Sequence, residues 1–163
     1  MNKLDLVNRK ILSGQKLYQI LNIWRFTDKK IVFTNGCFDL LHLGHIDYLS
    51  KAADLGNKLI IGLNSDSSTK NLKGQTRPIT DELSRAALLA SLFFVDGVIL
   101  FDEETPLNLI TRIKPDVLVK GADYTLDQIV GADLVMSYGG NVKTIEYLPG
   151  YSTTAIEQKI KKL

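Results

Sequence analysis

Apolar, β-branched runs alternate along the chain with segments of helical spacing, which predicts an α/β domain with a parallel sheet covered on both faces. Residues 31–33, Ile-Val-Phe, have the character of a strand buried on both faces. Thr34-Asn35-Gly36 breaks that run as a turn would, and residues 46–53 then carry the apolar spacing of a helix. Similar strand-like runs follow at 58–63, 98–101, 117–120 and 142–147.

Taken in order, residues 1–29 carry helical spacing at Leu4, Val7 and Ile11, then at Leu17, Ile20, Leu21 and Trp24. Two helices divided by Ser13-Gly14 are expected, packed as an N-terminal extension on a domain spanning 30–163. Trp24 belongs to an apolar stripe, a pattern that marks core far more often than a stacking platform. Gly56-Asn57 should close the helix after residue 53 as a C-cap. The polar stretch Asn64-Ser65-Asp66-Ser67-Ser68 follows the second strand at its C-terminal end, where ligands collect in open α/β sheets. Residues 71–80 read as a polar loop, with Gly74, Pro78 and the cations Lys70, Lys73 and Arg77 in or beside it. Each cation alone could be a solvated surface charge; their crowding near a phosphate cradle favours substrate binding.

Asp81-Glu82 suits a helix start, and the apolar run 83–94 predicts a buried helix with Arg85 on its first turns as a further candidate phosphate ligand. Thr105-Pro106 reads as an N-cap followed by proline at the first helical position, with that helix ending before Lys114-Pro115. The strand at 117–120 leads into Gly121-Ala122-Asp123, again polar at the strand's C-terminal end. A short helix up to Tyr138 and a last strand at 142–147 follow. Thr154-Ala155-Ile156-Glu157 has the form of a capping box, Thr at the cap and Glu three residues on.

Length and charge narrow the function. A chain of 163 residues fits one domain with a full core, and a net charge of +2 argues for neither nucleic acid nor an anionic membrane as partner. The single Cys37 excludes an internal disulfide framework and fits a reducing compartment. The first ten residues lack the apolar core of a signal peptide, and the apolar segment 86–95 falls far short of the roughly 20 residues that span a bilayer. A cytoplasmic, soluble protein is expected.

Function concentrates where the first strand meets its helix. Strand, glycine-containing turn and helix N-terminus form a cradle for phosphate, because free N–H groups and the helix dipole converge there. Both histidines of the chain, His42 and His45, fall in this turn, around Gly44. A half metal site would need more ligands than one cysteine and no further histidine can supply, so no protein-built metal site is expected. A buried structural histidine is the ordinary alternative for an isolated residue. Two flanking a glycine in a phosphate cradle favour a catalytic role.

The stretch from Thr34 to His45, Thr-Asn-Gly-Cys-Phe-Asp-Leu-Leu-His-Leu-Gly-His, resembles the HxGH signature of cytidylyltransferase-type nucleotidyltransferases. The longer resemblance is to the D-glycero-β-D-manno-heptose 1-phosphate adenylyltransferases. It is carried by Asn-Ser-Asp-Ser-Ser-Thr-Lys at 64–70, Leu-Lys-Gly at 72–74, Arg77-Pro78, Asp-Val-Leu-Val-Lys-Gly-Ala-Asp-Tyr at 116–124 and Pro-Gly-Tyr-Ser-Thr-Thr at 149–154. It implies a Rossmann-like domain with five parallel strands in the order 3-2-1-4-5. It also implies transfer of AMP from ATP to a sugar 1-phosphate, with Mg²⁺ carried by the triphosphate.

On that resemblance, His42, His45, Lys70 and Lys73 are candidate catalytic residues, and Thr34, Asn35, Gly36, Cys37, Phe38, Gly44, Lys120, Gly121, Asp123, Ser152, Thr153 and Thr154 candidate nucleotide contacts. Asp39, Asn64, Asp66, Arg77 and Arg85 are candidate acceptor contacts. The resemblance further implies a homodimer and a separate sugar kinase supplying the acceptor. Related cytidylyltransferases carry an arginine where this chain has Tyr147-Leu148-Pro149, which favours ATP over CTP. A glycerol-3-phosphate cytidylyltransferase, an FAD-forming adenylyltransferase and a non-catalytic nucleotide-binding module are the alternatives.

Overall fold

The computed structural model describes residues 2–162. Six strands form one parallel sheet: β1 (Ile11–Leu12), β2 (Ile31–Gly36), β3 (Lys58–Asn64), β4 (Gly97–Phe101), β5 (Val117–Gly121) and β6 (Asn141–Ile145). Their order is β1-β4-β3-β2-β5-β6. This corrects the expected five-stranded sheet in the order 3-2-1-4-5. The strand that the sequence concealed, Ile11–Leu12, pairs with Val98 and Ile99 and covers the outer edge of β4. Its two residues lie inside a helical spacing and are far shorter than a recognisable strand run.

Eight α-helices accompany the sheet: α1 (Lys3–Lys10), α2 (Gly14–Phe26), α3 (Leu43–Ala53), α4 (Asp66–Lys73), α5 (Glu82–Ser91), α6 (Leu107–Ile113), α7 (Ala132–Ser137) and α8 (Thr153–Ile160). Strand residues alternate between two apolar layers, as a period of two requires. Ile31 and Phe33 of β2 join Leu17, Leu21 and Trp24 of α2, Ile110 and Ile113 of α6 and Val135 of α7. Val32 points the other way, with Leu49 and Ala52 of α3 and Ala86 and Leu89 of α5. Trp24 is therefore core, as its spacing indicated. Among the described residues no helix is long and apolar enough to cross a membrane.

Several element boundaries differ from expectation. Residues 66–73 form α4, capped by Ser65 whose hydroxyl accepts from Ser68 N; only Ser68 and Thr69 are buried, so no apolar stripe announced a helix. The helix expected over 83–94 ends at Ser91, and Leu92 turns to an extended conformation. Pro106, not Thr105, stands at the cap of α6, and α3 closes at Asp54, ahead of Gly56. At α8 the cap is Ser152, whose hydroxyl accepts from Ala155 N at 3.1 Å. Thr154 is already inside the helix, so the capping box expected of Thr154 and Glu157 does not form.

Candidate active site

The C-terminal ends of β2, β3 and β5 open into a cavity of about 600 Å³. From β2, the turn after it and the start of α3, Asn35, Gly36, Cys37, Phe38, Asp39 and His45 line it. Asn64, Lys73, Arg77, Lys120, Gly121, Asp123, Thr153 and Thr154 line it from later elements. Residues from about a hundred positions of sequence thus meet at one edge of the sheet, where the strand ends of a parallel sheet converge.

The strand, turn and helix expected around the two histidines are present, as β2, residues 37–42 and α3. Phe38 takes a left-handed φ of 45°, a conformation that non-glycine residues seldom adopt and that marks functional turns. His42 caps α3, and its carbonyl accepts from His45 N at 2.9 Å. The two imidazoles stack, with centroids 3.9 Å apart and planes at 21°. Gly44 makes room for this pair: a Cβ there would come within 3.1 Å of the His42 ring and of Tyr151 Cβ. Each histidine has a buried Nδ1 without a hydrogen-bond partner. Such atoms are costly to leave unpaired, and a bound ligand could satisfy them.

Burial pushes the His45 imidazole down to about 4, and the neighbouring His42 and Lys73 add to the fall. Burial also lowers His42. Without ligand, both rings are therefore held toward the neutral form, and a bound polyanion would draw them back toward protonation. Across the cavity, Lys120 donates to Asn35 Oδ1 at 2.5 Å, and burial lowers its ammonium to about 8 against the opposing charge of Asp123. It still carries its proton at neutral pH.

Two sets of expected contacts are placed differently. Arg85 is fully buried and donates to Thr80 O at 2.9 Å, Cys37 O at 2.5 Å and Asp66 Oδ1 at 2.8 Å. Neither Arg85 nor Asp66 lines the cavity; together they tie the 74–80 loop and α4 to the phosphate turn. Asp39 is bound up in a similar way, accepting from Arg77 Nη1 at 2.7 Å and from the amides of Ile79 at 2.7 Å and Thr80 at 3.0 Å. Of the two lysines, Lys73 lines the cavity and Lys70 does not. Thr34, His42, Gly44 and Ser152 do not line it either.

Sequence reasoning missed an aromatic flank. Tyr48, Tyr124 and Tyr147 all line the cavity. Tyr48 joins Thr34 through a 2.7 Å hydroxyl–hydroxyl hydrogen bond, and its ring lies 5.8 Å from that of Tyr147. Burial pushes the Tyr147 phenol up to about 12, and the nearby charge of Asp123 adds to the rise. A Cβ on Gly121 would run into the Tyr147 hydroxyl, so the Tyr147 ring reaches its place over the strand end because residue 121 is glycine. Tyr124 directly follows Asp123 in the polar strand end and could have been named from that position; Tyr48 was masked by its place on an apolar helix face. Among the described residues, no three His, Cys, Asp or Glu side chains cluster as a metal site.

Comparison with known proteins accords with this geometry. Residues 33–159 match the Cytidylyltransferase-like family. The chain is 52% identical over 160 residues to the Bifunctional protein HldE of Campylobacter jejuni, covering 98% of this chain and 33% of that protein. It is 53% identical over 151 residues to the protein of the same name from Geobacter metallireducens, covering 93% and 31%. The chain thus spans about a third of the length of the curated relatives it matches. A lipopolysaccharide core biosynthesis protein from Thermoplasma volcanium superposes with a TM-score of 0.59 at 35% identity, covering 74% of this chain and 97% of that one. A pantoate-β-alanine ligase from Francisella tularensis, with a TM-score of 0.63 over 94% of this chain and 78% of that one, shares the fold alone at 18% identity. The family resemblance read from the sequence is borne out: this chain belongs to the cytidylyltransferase-like nucleotidyltransferase family.

Proposed function

We propose that this chain transfers AMP from ATP to D-glycero-β-D-manno-heptose 1-phosphate, forming ADP-heptose and releasing pyrophosphate. The observation that carries this reading is the stacked His42–His45 pair at the start of α3, with unpartnered Nδ1 atoms beside Lys73. The ordered resemblance to the heptose adenylyltransferases and the HldE relatives support the acceptor. Tyr147-Leu148-Pro149, which supplies no cation, supports ATP over CTP.

An acceptor phosphate monoester has a second pKa near 6 and is already ionised at neutral pH, so its attack needs no strong general base. An acceptor oxygen bonds to the α-phosphorus as the bond from that phosphorus to the bridging oxygen breaks, and the electron pair leaves with pyrophosphate. The protein's task is to bring anions together and to stabilise charge growing on the α-phosphate and leaving group. His42 and His45 meet the triphosphate at the N-terminus of α3, where free N–H groups and the dipole add to their effect. Lys73 and Arg77 neutralise the reacting phosphates, and Lys120, Asp123 and the Ser152–Thr154 segment hold the nucleotide. Mg²⁺ would enter with the triphosphate as part of the substrate and offset its charge. A cytoplasmic homodimer, fed by a sugar kinase that phosphorylates the anomeric position, completes the reading.

The test is pyrophosphate release across a panel of ATP and CTP against heptose 1-phosphate, glycerol 3-phosphate and FMN. Turnover should be greatest with ATP and the heptose 1-phosphate. Equal or better turnover with CTP and the same acceptor would refute the nucleotide assignment, and a preference for another acceptor would refute the sugar. ATP binding with no pyrophosphate from any pair would make the chain a binding module.

A further inference from the structure

Glu157 has the spacing of a residue that caps its own helix, yet the structure gives it another partner. Helix α8 has no buried residue, and its cap bond, Ala155 N to Ser152 Oγ, is internal. Beside the half-buried Ile156, what ties it to the body is charge: Glu157 forms an ion pair with Arg77 Nη2. Arg77 Nη1 in turn donates to Asp39 Oδ2 at 2.7 Å, and Asp39 also accepts from Ile79 N and Thr80 N. The pairs are largely shielded, with side-chain exposures of 17% for Arg77, 5% for Asp39 and 23% for Glu157. A chain of contacts therefore runs from the phosphate turn through Asp39 and Arg77 to α8. At the near end of α8, Thr153 and Thr154 line the cavity beside Arg77.

We propose that Glu157 is a positioning residue that, acting through Arg77, holds the N-terminus of α8 over the cavity so that the Ser152–Thr154 segment meets the phosphates of a bound nucleoside triphosphate. This rests on the nucleotidyltransfer reading above and adds to it a residue that touches no substrate. The helix's free N–H groups attract phosphate only when they are held at the right place. A helix without buried side chains cannot be held there by its own packing. Removing the Glu157 charge leaves Arg77 paired with Asp39, so the 74–80 loop should stay in place and the effect should be confined to α8.

The experiment compares the full chain with Glu157→Gln by calorimetric titration with ATP, initial rates and amide hydrogen exchange with and without ATP. The variant should bind ATP about ten-fold more weakly, the scale of one lost charge-assisted contact, with kcat at saturating ATP within about three-fold of wild type. Exchange at residues 153–160 should speed up even without ATP, while the melting temperature moves by no more than about 2 °C. Unchanged exchange in that segment or an unchanged ATP affinity would overturn the proposal. Faster exchange across the whole sheet would overturn it too, by making Glu157 an ordinary structural residue. A wild-type protein that binds no ATP would refute the nucleotide reading instead, and the ligand-free exchange would still decide whether Glu157 holds α8.

Discussion

Two helices present their N-termini to the same cavity, and they are attached to the protein in opposite ways. Helix α3 buries Gly44, Tyr48, Leu49 and Ala52, with Leu49 and Ala52 deep in one apolar layer. Helix α8 has no fully buried residue, only half-buried Thr153, Ile156 and Glu157, and is tied by Glu157 to Arg77. Groups that stabilise a transition state must stand still, because their advantage over water is that they need not reorganise. The histidines are at the start of the well-packed helix, and the Ser-Thr-Thr segment is at the start of the lightly packed one.

The largest expected effect tests the well-packed side. His42→Ala and His45→Ala should each lower kcat by about 10²–10³, the scale of one lost preorganised donor, with little change in thermal unfolding. A lowered melting temperature with near-normal kcat in both would mean that the rings only pack. Arg85→Met comes next, because it leaves Asp66 without its partner and orphans the carbonyls of Cys37 and Thr80. It should destabilise the fold by about 3 kcal/mol in a denaturant titration. A loss of activity with unchanged stability would instead show Arg85 touching substrate.

Smaller effects belong to α8. Ser152→Ala removes the cap and should cost the helix about 0.5–2 kcal/mol, read as faster exchange local to residues 153–160. Thr154→Ala, beyond the cap, should leave that exchange unchanged; the reverse ranking would put the cap back at Thr154. The smallest effect is a proton. Burial holds His45 near 4, so phosphate binding that restores it to about 6.5 or above must take up protons. At pH 6.5 wild type should take up about half a proton more per ATP than His45→Asn, measured by calorimetry in buffers of different ionisation enthalpy. Equal uptake would remove His45 from the phosphates. The same depression has a stability consequence of fixed sign. The contribution from a neutral His45 is complete above about 6.5 and is lost as pH falls through about 4.

What the sequence made legible follows the same division. The β2 turn and α3 were readable because their signals are local: a β-branched run, a glycine turn, and an apolar stripe behind two histidines. The pieces that escaped depend on distant partners. Ile11–Leu12 becomes a strand because the edge of β4 offers it hydrogen bonds, and two residues carry no period of their own. Arg85 read as a candidate phosphate ligand on the first turns of an apolar helix; its three acceptors lie on the turn after β2, the 74–80 loop and α4. At α8, two hydroxyl residues two positions apart could each serve as cap, and Glu157 fitted the one at Thr154. Its tertiary pairing with Arg77, about eighty residues away, left Ser152 as the cap.

The most direct measurement follows the label when ATP carrying a labelled α-phosphate, or in parallel a labelled γ-phosphate, is incubated with the chain and D-glycero-β-D-manno-heptose 1-phosphate. The account predicts that the α-label appears in a nucleotide sugar and the γ-label in pyrophosphate, in equal amounts and at a rate cut by about 10²–10³ in His45→Ala. Transfer of the γ-label to the sugar, or retention of both labels in ATP while the protein remains folded and saturated, would contradict it.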